Sequence, residues 1–280
     1  MAIRIITDST SDISLEQAKD MGVTIVPLKV IFSDKEYKEG IEITIDGFYK
    51  KLAEAEKLPT TSQPSPDDFL VHFNQAKATG DSVLVMLIAG KLSGTVQSAA
   101  IAKEMADYPS IYIVDSLTTI IGLRLLIEHA VKLRDQGQDA ESIAQVIESL
   151  KEKVVLLAMV DTLEYLHKGG RLSKSAAILG TLLNFKPLIR LKDGALGVLG
   201  KERGTNKGIA KLLEIIDEVG AIDQSYPVNF GYTAEDSKTI LLKEKVVEKY
   251  GLKNSAMYPV GCVIGAHVGP GACIITYIKQ

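Results

Sequence analysis

A chain of 280 residues with 46% hydrophobic and 24% charged side chains has the make-up of a soluble globular protein of one large or two medium domains. Its formal net charge of −3 excludes a bulk basic surface for nucleic acid, and no apolar run approaches the roughly 20 residues of a membrane span. The opening MAIRIITDST lacks a signal-peptide pattern, and Cys262 and Cys273 show no metal-ligand spacing and read as buried hydrophobes, so a cytoplasmic location is expected.

In chain order, residues 3–7 form a short β-rich run. Ser14 opens a helix with Gln17 as capping-box partner. Residues 23–32 read as one apolar, β-branched stretch, which Pro27 makes an edge or bent strand. Phe48 and Leu52, at i and i+4, mark a helix over 47–55, and Ser65 with Pro66 begins another. Residues 83–88 are a continuous apolar strand of the kind covered on both faces. A helix over about 93–105, a strand over 111–114, a long apolar helix over 118–136 and a further helix after Asp139 follow. This alternation predicts a doubly wound parallel sheet.

The second half changes character. A strand over 154–160 and a short helix over 162–168 precede Gly169-Gly170, and Ser173 caps a very apolar helix to 183. Asp193-Gly194 between apolar runs predicts a hairpin. Helices over 206–219 and 236–250 flank a strand over 228–232, and strands over 257–260 and 272–278 close the chain. The expectation is a two-domain α/β protein: an N-terminal parallel α/β domain, 1–155, and a C-terminal mixed α/β domain, 156–280, with a ligand cleft between them.

Five segments carry candidate chemistry. In Thr60-Thr61-Ser62-Gln63-Pro64-Ser65, hydroxyls cluster before a helix and read as turn and capping residues; the functional alternative is a hook for an oxyanion. Ser93-Gly94-Thr95 joins an apolar strand to a helix, where backbone N–H groups and the helix dipole favour an anion, and Gly94 admits a ligand close to the backbone. Ser93 reads equally as an N-cap. The run Gly90-Lys91-Leu92-Ser93-Gly94 fails the G-x-S-x-G spacing of a hydrolase elbow. Asp8 and Asp115 each end a strand run and serve as acid–base groups, as metal ligands, though no surrounding spacing specifies a metal, or as loop caps. Lys168-Gly169-Gly170-Arg171 is a helix stop that also offers an arginine to a carboxylate or phosphate; Lys201, Arg203 and Lys207 form a second basic group. His267 stands apart from His72, His129 and His167, because Val268-Gly269-Pro270-Gly271 supplies a rigid turn beside it.

Together the segments IITDST, TTSQPSP, LSGTVQSA, IVDS, KGGRLS and HVGPGA, in this order along essentially the whole chain, resemble the DegV family. The resemblance implies a two-domain α/β protein that holds a long-chain fatty acid and presents its carboxylate to a separate fatty acid kinase subunit, which forms the acyl phosphate. It implies Thr61, Ser62, Ser93, Gly94 and His267 as ligand-binding residues, and Arg171 and Arg203 as contacts to the partner or its phosphates. No catalytic residue, metal or cofactor is expected, and no nucleic acid partner; transient contact with a membrane surface is left open. The competing expectation is an acyl hydrolase or transferase using Ser93 and His267 with Asp8 or Asp115. The missing elbow spacing and the lack of a G-x-x-x-x-G-K-[ST] loop weigh against it.

Overall fold

The structure, a computed structural model, describes residues 2–33, 35–172 and 185–280. The expected helix over 173–183 lies outside the described residues.

Four strands, β1 (Ile3–Asp8), β2 (Val23–Val26), β6 (Ser82–Leu87) and β7 (Ile111–Asp115), make an all-parallel sheet in the order β2-β1-β6-β7. It is wound on both sides, as the alternation predicts. Helices α3 (Pro66–Thr79) and α4 (Thr95–Ala106) pack on one face through Phe69, Phe73, Ala99 and Ala102, against Ile6, Val83 and Val85. Helices α5 (Ile120–Asp135) and α6 (Ala140–Lys151) cover the other through Leu123, Ile127, Ile143 and Ile147, against Ile5, Leu84 and Met86. Successive strand residues face opposite ways, so a run with both faces covered must be continuously apolar. Local signals set the helix starts: Ser14 and Ser65 form capping boxes with Gln17 and Asp68, and Asp139 caps α6.

A second, mixed sheet of six strands has the order β10-β9-β8-β13-β11-β12. Its strands are β8 (Val154–Met159), β9 (Phe185–Lys192), β10 (Ala195–Arg203), β11 (Val228–Tyr232), β12 (Ser255–Pro259) and β13 (Cys273–Ile278). The expected hairpin is present; Asp193 and Gly194 both have positive φ, 50° and 76°, as a two-residue turn of that hand requires. Residue 155, the expected division, falls within β8, the first strand of this sheet. Helices α8 (Thr205–Val219) and α9 (Ser237–Tyr250) cover its outer face. Its inner face, with Leu156, Ala158, Ile189 and Ile274, turns toward the rest of the molecule.

The joint between the two sheets holds elements the sequence does not announce. Residues 23–32 are not one strand: Pro27 separates β2 from β3 (Lys29–Phe32), which belongs to a third, antiparallel sheet of order β4-β3-β5. Its partners are β4 (Lys35–Lys38) and β5 (Thr60–Ser62), so the hydroxyl cluster expected as a turn is a strand, with Thr61 opposite Val30. Helix α2 (Ile45–Glu54) lies beside it, and α7 (Glu164–Lys168) follows β8. His267 sits not in a loop but on α10 (Cys262–Val268), a short helix with every residue buried. Helix α10 packs on α2, α7, β3 and β5, and its apolar side chains join the inner face of the mixed sheet in one core. Among the described residues, no helix is long and apolar enough to cross a membrane.

Phe73 is fully buried between α3 and the parallel sheet, whereas Ser65 acts only at the end of that helix. In urea unfolding, Phe73→Ala should cost about 3–5 kcal/mol. Ser65→Ala should cost about 1 kcal/mol. Equal costs would contradict this packing.

Candidate functional site

Segments far apart in sequence converge on a cavity of about 330 Å³ at this joint. Strand β5 and the residue after it bring Thr61, Ser62 and Gln63; the turn after β6 brings Leu92 and Ser93; the chain after α7 brings Arg171; α10 brings Val263 and His267. Most of the remaining wall is aliphatic: Leu28, Ile88 and Ile120 from the N-terminal elements, Leu156, Ala158, Ile189 and Ile274 from the mixed sheet.

The polar groups are gathered together. Thr61 Oγ1 lies 2.8 Å from His267 Nε2. The ring is only 8% exposed, and its Nδ1 is buried without a hydrogen-bond partner. Gly169 makes room for it, since a methyl group there would collide with Nδ1. Burial, and then the nearby charge of Arg171, push the His267 pKa down to about 4, so the imidazole is neutral at pH 7. Arg171 is held by backbone oxygens: Nε donates to Leu92 O at 3.1 Å and Nη1 to Gly169 O at 2.7 Å. Burial lowers its pKa too, though a guanidinium remains charged.

Ser93 differs from its expected capping role. Gly94, with no side-chain capping bond, is the N-cap of α4, and Ser93 Oγ instead sits 2.8 Å from Thr95 Oγ1. Thus the hydroxyl is not spent on the helix, and α4 begins with its N–H groups uncapped by a side chain. Gly94 is not in the cavity wall. Its missing side chain admits Gln63, whose Nε2 donates to Gly94 O at 3.2 Å and to Ser98 Oγ at 3.0 Å.

The structure therefore brings Thr61, Ser62, Ser93, Arg171 and His267 to one cavity and leaves Gly94 behind it. Arg171, expected apart from the hydroxyls, is in the wall with them. Arg203 is exposed at the end of β10 and is not part of the wall. Gln63 was missed, and so was the backbone conformation of Ile120, though its apolar stretch, 118–126, reads as a candidate wall for the tail. Gln63 lies within the hydroxyl-rich segment but carries no signal of its own. Ile120 is a β-branched residue at φ 44°, a backbone state that costs about 1–3 kcal/mol, and nothing local in the sequence announces it.

Among the described residues no Ser-His-Asp relay is formed. Asp8 accepts from Thr10 N, Thr10 Oγ1 and Ile88 N, at 2.9, 2.6 and 2.8 Å. Asp115 accepts from Gly90 N and Leu117 N, so both carboxylates organise loops. Among the described residues there is no cluster of His, Cys, Asp and Glu suited to a metal ion. Hydroxyls of Thr61, Ser62 and Ser93, a neutral imidazole and a guanidinium in the wall of a largely apolar cavity suit a small oxyanion joined to an aliphatic body.

The chain is similar to known proteins along its whole length. The family described as "Uncharacterised protein, DegV family" matches residues 2–280. A DegV domain-containing protein of Caldanaerobacter subterraneus is 33% identical, over 99% of each chain. A DegV family protein from Thermus thermophilus, solved for its fatty acid binding, superposes with a TM-score of 0.90 at 33% identity over 100% of both chains. The Streptococcus pneumoniae Fatty Acid Kinase (Fak) B3 protein, loaded with linoleic acid, superposes at 0.87 with 25% identity, also over 100% of both.

In ligand-free protein the His267 ring should titrate near pH 4, read from its NMR shifts. Its folded pKa lies below the ordinary 6.5, so the unfolded chain takes up the proton first. Its contribution to stability is complete above about pH 6.5 and is lost as pH falls through about 4. The difference between wild type and His267→Gln should therefore change by about 3 kcal/mol across that window. A ring that titrates near 6.5 would show that the imidazole is solvated.

Proposed function

The chain belongs to the DegV family, and on that premise we propose that it binds a long-chain fatty acid, with the carboxylate at Thr61, Ser93 and His267 and the tail along the aliphatic wall. The observation that carries this reading is a largely aliphatic cavity whose wall also holds Thr61, hydrogen-bonded to His267, together with Ser93 and Arg171. A buried carboxylate without partners is very costly, and these side chains supply several. Each methylene taken from water contributes about 0.8 kcal/mol, so the tail supplies most of the affinity and the head group sets its direction. Arg171 adds the positive charge that makes an ionised head group acceptable beside a neutral imidazole.

The protein acts as a carrier without turnover of its own and presents the carboxylate to a fatty acid kinase subunit, which supplies the phosphate. The absence of a hydrogen-bonded relay around Ser93 supports this over the hydrolase or transferase reading. Arg203, exposed at the far end of the hairpin strand, suits contact with the kinase or its phosphates. Arg171, inside the wall, suits contact with the head group first.

Protein purified from its host should yield free fatty acid on denaturation and no covalent acyl adduct, as read by mass spectrometry. Thr61→Val and Ser93→Ala should each lower lipid affinity roughly tenfold or more, the loss of one hydrogen bond to a charged group. Undiminished affinity in both would move the head group elsewhere. Arg203→Ala should slow phosphorylation by the kinase at unchanged lipid affinity, and Arg171→Ala should reduce both; equal behaviour of the two variants would contradict this division.

Bound carboxylate should raise the His267 pKa from about 4, because the anion favours the charged ring. By linkage, affinity should weaken as pH rises through the ligand-bound pKa and then level off, since the neutral ring still donates one hydrogen bond. His267→Gln should flatten this profile. Superimposable profiles, measured by lipid affinity against pH, would uncouple His267 from the ligand's charge.

A further inference from the structure

The helix that carries His267 is gripped at its other end by two carboxylates from the N-terminal part of the chain. Glu39 Oε1 accepts from Val263 N at 2.8 Å, and Oε2 accepts from Ser9 Oγ at 2.5 Å. Ser9 Oγ in turn accepts from Leu28 N at 3.0 Å. Asp12 Oδ1 accepts from Gly261 N at 2.9 Å, while its Oδ2 is buried with no partner. The two groups close on the same point: a methyl group on Gly261 would lie 2.5 Å from Glu39 Oε1 and 2.9 Å from Asp12 Oδ1.

The surroundings do not neutralise this pair. Asp8 adds a third buried carboxylate on the β1 side, and Tyr49 of α2 and Cys262 of α10 face the pair as neutral groups. Arg124 of α5 is the nearby cation. Its Nη1 donates to the backbone oxygen of Asp12 at 3.1 Å and its Nε to Glu128 at 2.8 Å, and its guanidinium stacks 3.7 Å from the Tyr258 ring centre. Among the described residues no ion pair reaches either Asp12 or Glu39. Two ionised carboxylates this close and this dry repel strongly, so the stable arrangement holds a proton.

We propose that Asp12 and Glu39 are positioning residues for the head-group site: a proton held by the pair fixes the start of α10, and its loss loosens the helix that presents His267. Val263, whose N–H is held by Glu39, is one helical turn from His267, and both side chains line the cavity. The clasp thus acts on the polar end of the cavity and on the wall beside it. This inference rests on the reading of His267 as a head-group residue, but the clasp itself is measurable without lipid.

The direction follows from the two states. Burial raises the Glu39 pKa from 4.5 to about 7 in the closed clasp, and burial with the Glu39 charge raises that of Asp12 well above the carboxylate range. Between those values for Glu39 the closed form holds more protons than an opened one. Closure is therefore strongest at low pH and weakens as pH rises, with opening about tenfold easier per unit between roughly pH 4.5 and 7.

The test is amide hydrogen exchange of residues 262–268 in full-length, lipid-free protein from pH 5 to 8, corrected for intrinsic exchange. In wild type, opening of α10 should increase about a hundredfold from pH 5 to 7. Glu39→Gln keeps an acceptor for Val263 N–H but cannot ionise, so its opening should lose the Glu39 part of the pH dependence and rise less steeply with pH than wild type. Equal slopes in the two proteins overturn the proposal. Should Glu39→Gln fail to fold, Asp12→Asn replaces it: it keeps an acceptor for Gly261 N–H but cannot ionise, so the part of the pH dependence that Asp12 supplies should be lost, and a slope equal to that of wild type overturns the proposal. A slope reduced in Glu39→Gln sustains the clasp even where purified protein carries no lipid; in that case the fatty acid reading fails and the clasp stands. Where lipid is bound, its release should quicken with pH in wild type and much less in Glu39→Gln, and identical release profiles overturn the clasp's link to the head group.

Discussion

The site depends on one constraint, the complete burial of α10 between elements drawn from both halves of the chain. All seven of its residues are buried, so its backbone groups and its single histidine must find partners inside the protein. At its start, Gly261 N–H and Val263 N–H reach Asp12 and Glu39. At its end, His267 reaches Thr61, and Gly169, where a methyl group would collide with the ring, leaves room for it. A short helix has little intrinsic stability, so these contacts and the packing against α2, α7, β3 and β5 define where it lies. The cavity is the space left beside it, where aliphatic side chains of the mixed sheet face Leu28, Ile88 and Ile120.

Burial also governs the charges. The same desolvation pushes His267 toward the neutral form and the carboxylates Asp8, Asp12 and Glu39 toward theirs. The joint is consequently poor in net charge, with Arg171 the cation that faces the cavity. On the proposed reading, an anion entering from water loses its hydration there and regains it from Arg171, the hydroxyls and the imidazole, so that a head group accepting several hydrogen bonds is favoured strongly and tails, which meet only shape and apolar surface, are told apart weakly. Strain is stored in the same place: Ile120, in the cavity wall, holds a backbone conformation unfavourable for a β-branched residue.

Much of the frame was legible locally. Ser14, Ser65 and Asp139 mark helix starts because a side-chain oxygen placed before a helix satisfies its free N–H groups whatever the tertiary context. Asp193-Gly194 marks a hairpin because few other residues adopt two successive positive φ angles. The parallel sheet was legible because strands covered on both faces read as continuous apolar runs, while the helices between them keep a 3.6-residue period. The exceptions lie at the joint. Residues 60–62 looked like turn chemistry and form a strand, because pairing with β3 overrides the local preference of their hydroxyls. Ser93 looked like a cap, and the helix starts two residues later. His267 looked like a turn residue because seven residues are too few for helical periodicity to stand out.

By itself, the sequence determined the α/β class, the order of most elements, the family, and the residues from which a head-group site would be drawn. These are properties of local chemistry and of motif order. Only the tertiary structure decided that Thr61 meets His267 across 206 residues, that Arg171 joins them while Arg203 stays outside, and that Asp12 and Glu39 face each other over Gly261. No spacing in the sequence encodes those distances. They arise when two sheets and a buried helix close on one another, and the resulting loss of water changes what each side chain can do: a histidine becomes neutral, a carboxylate keeps its proton, and a serine free of capping duty becomes available to a ligand.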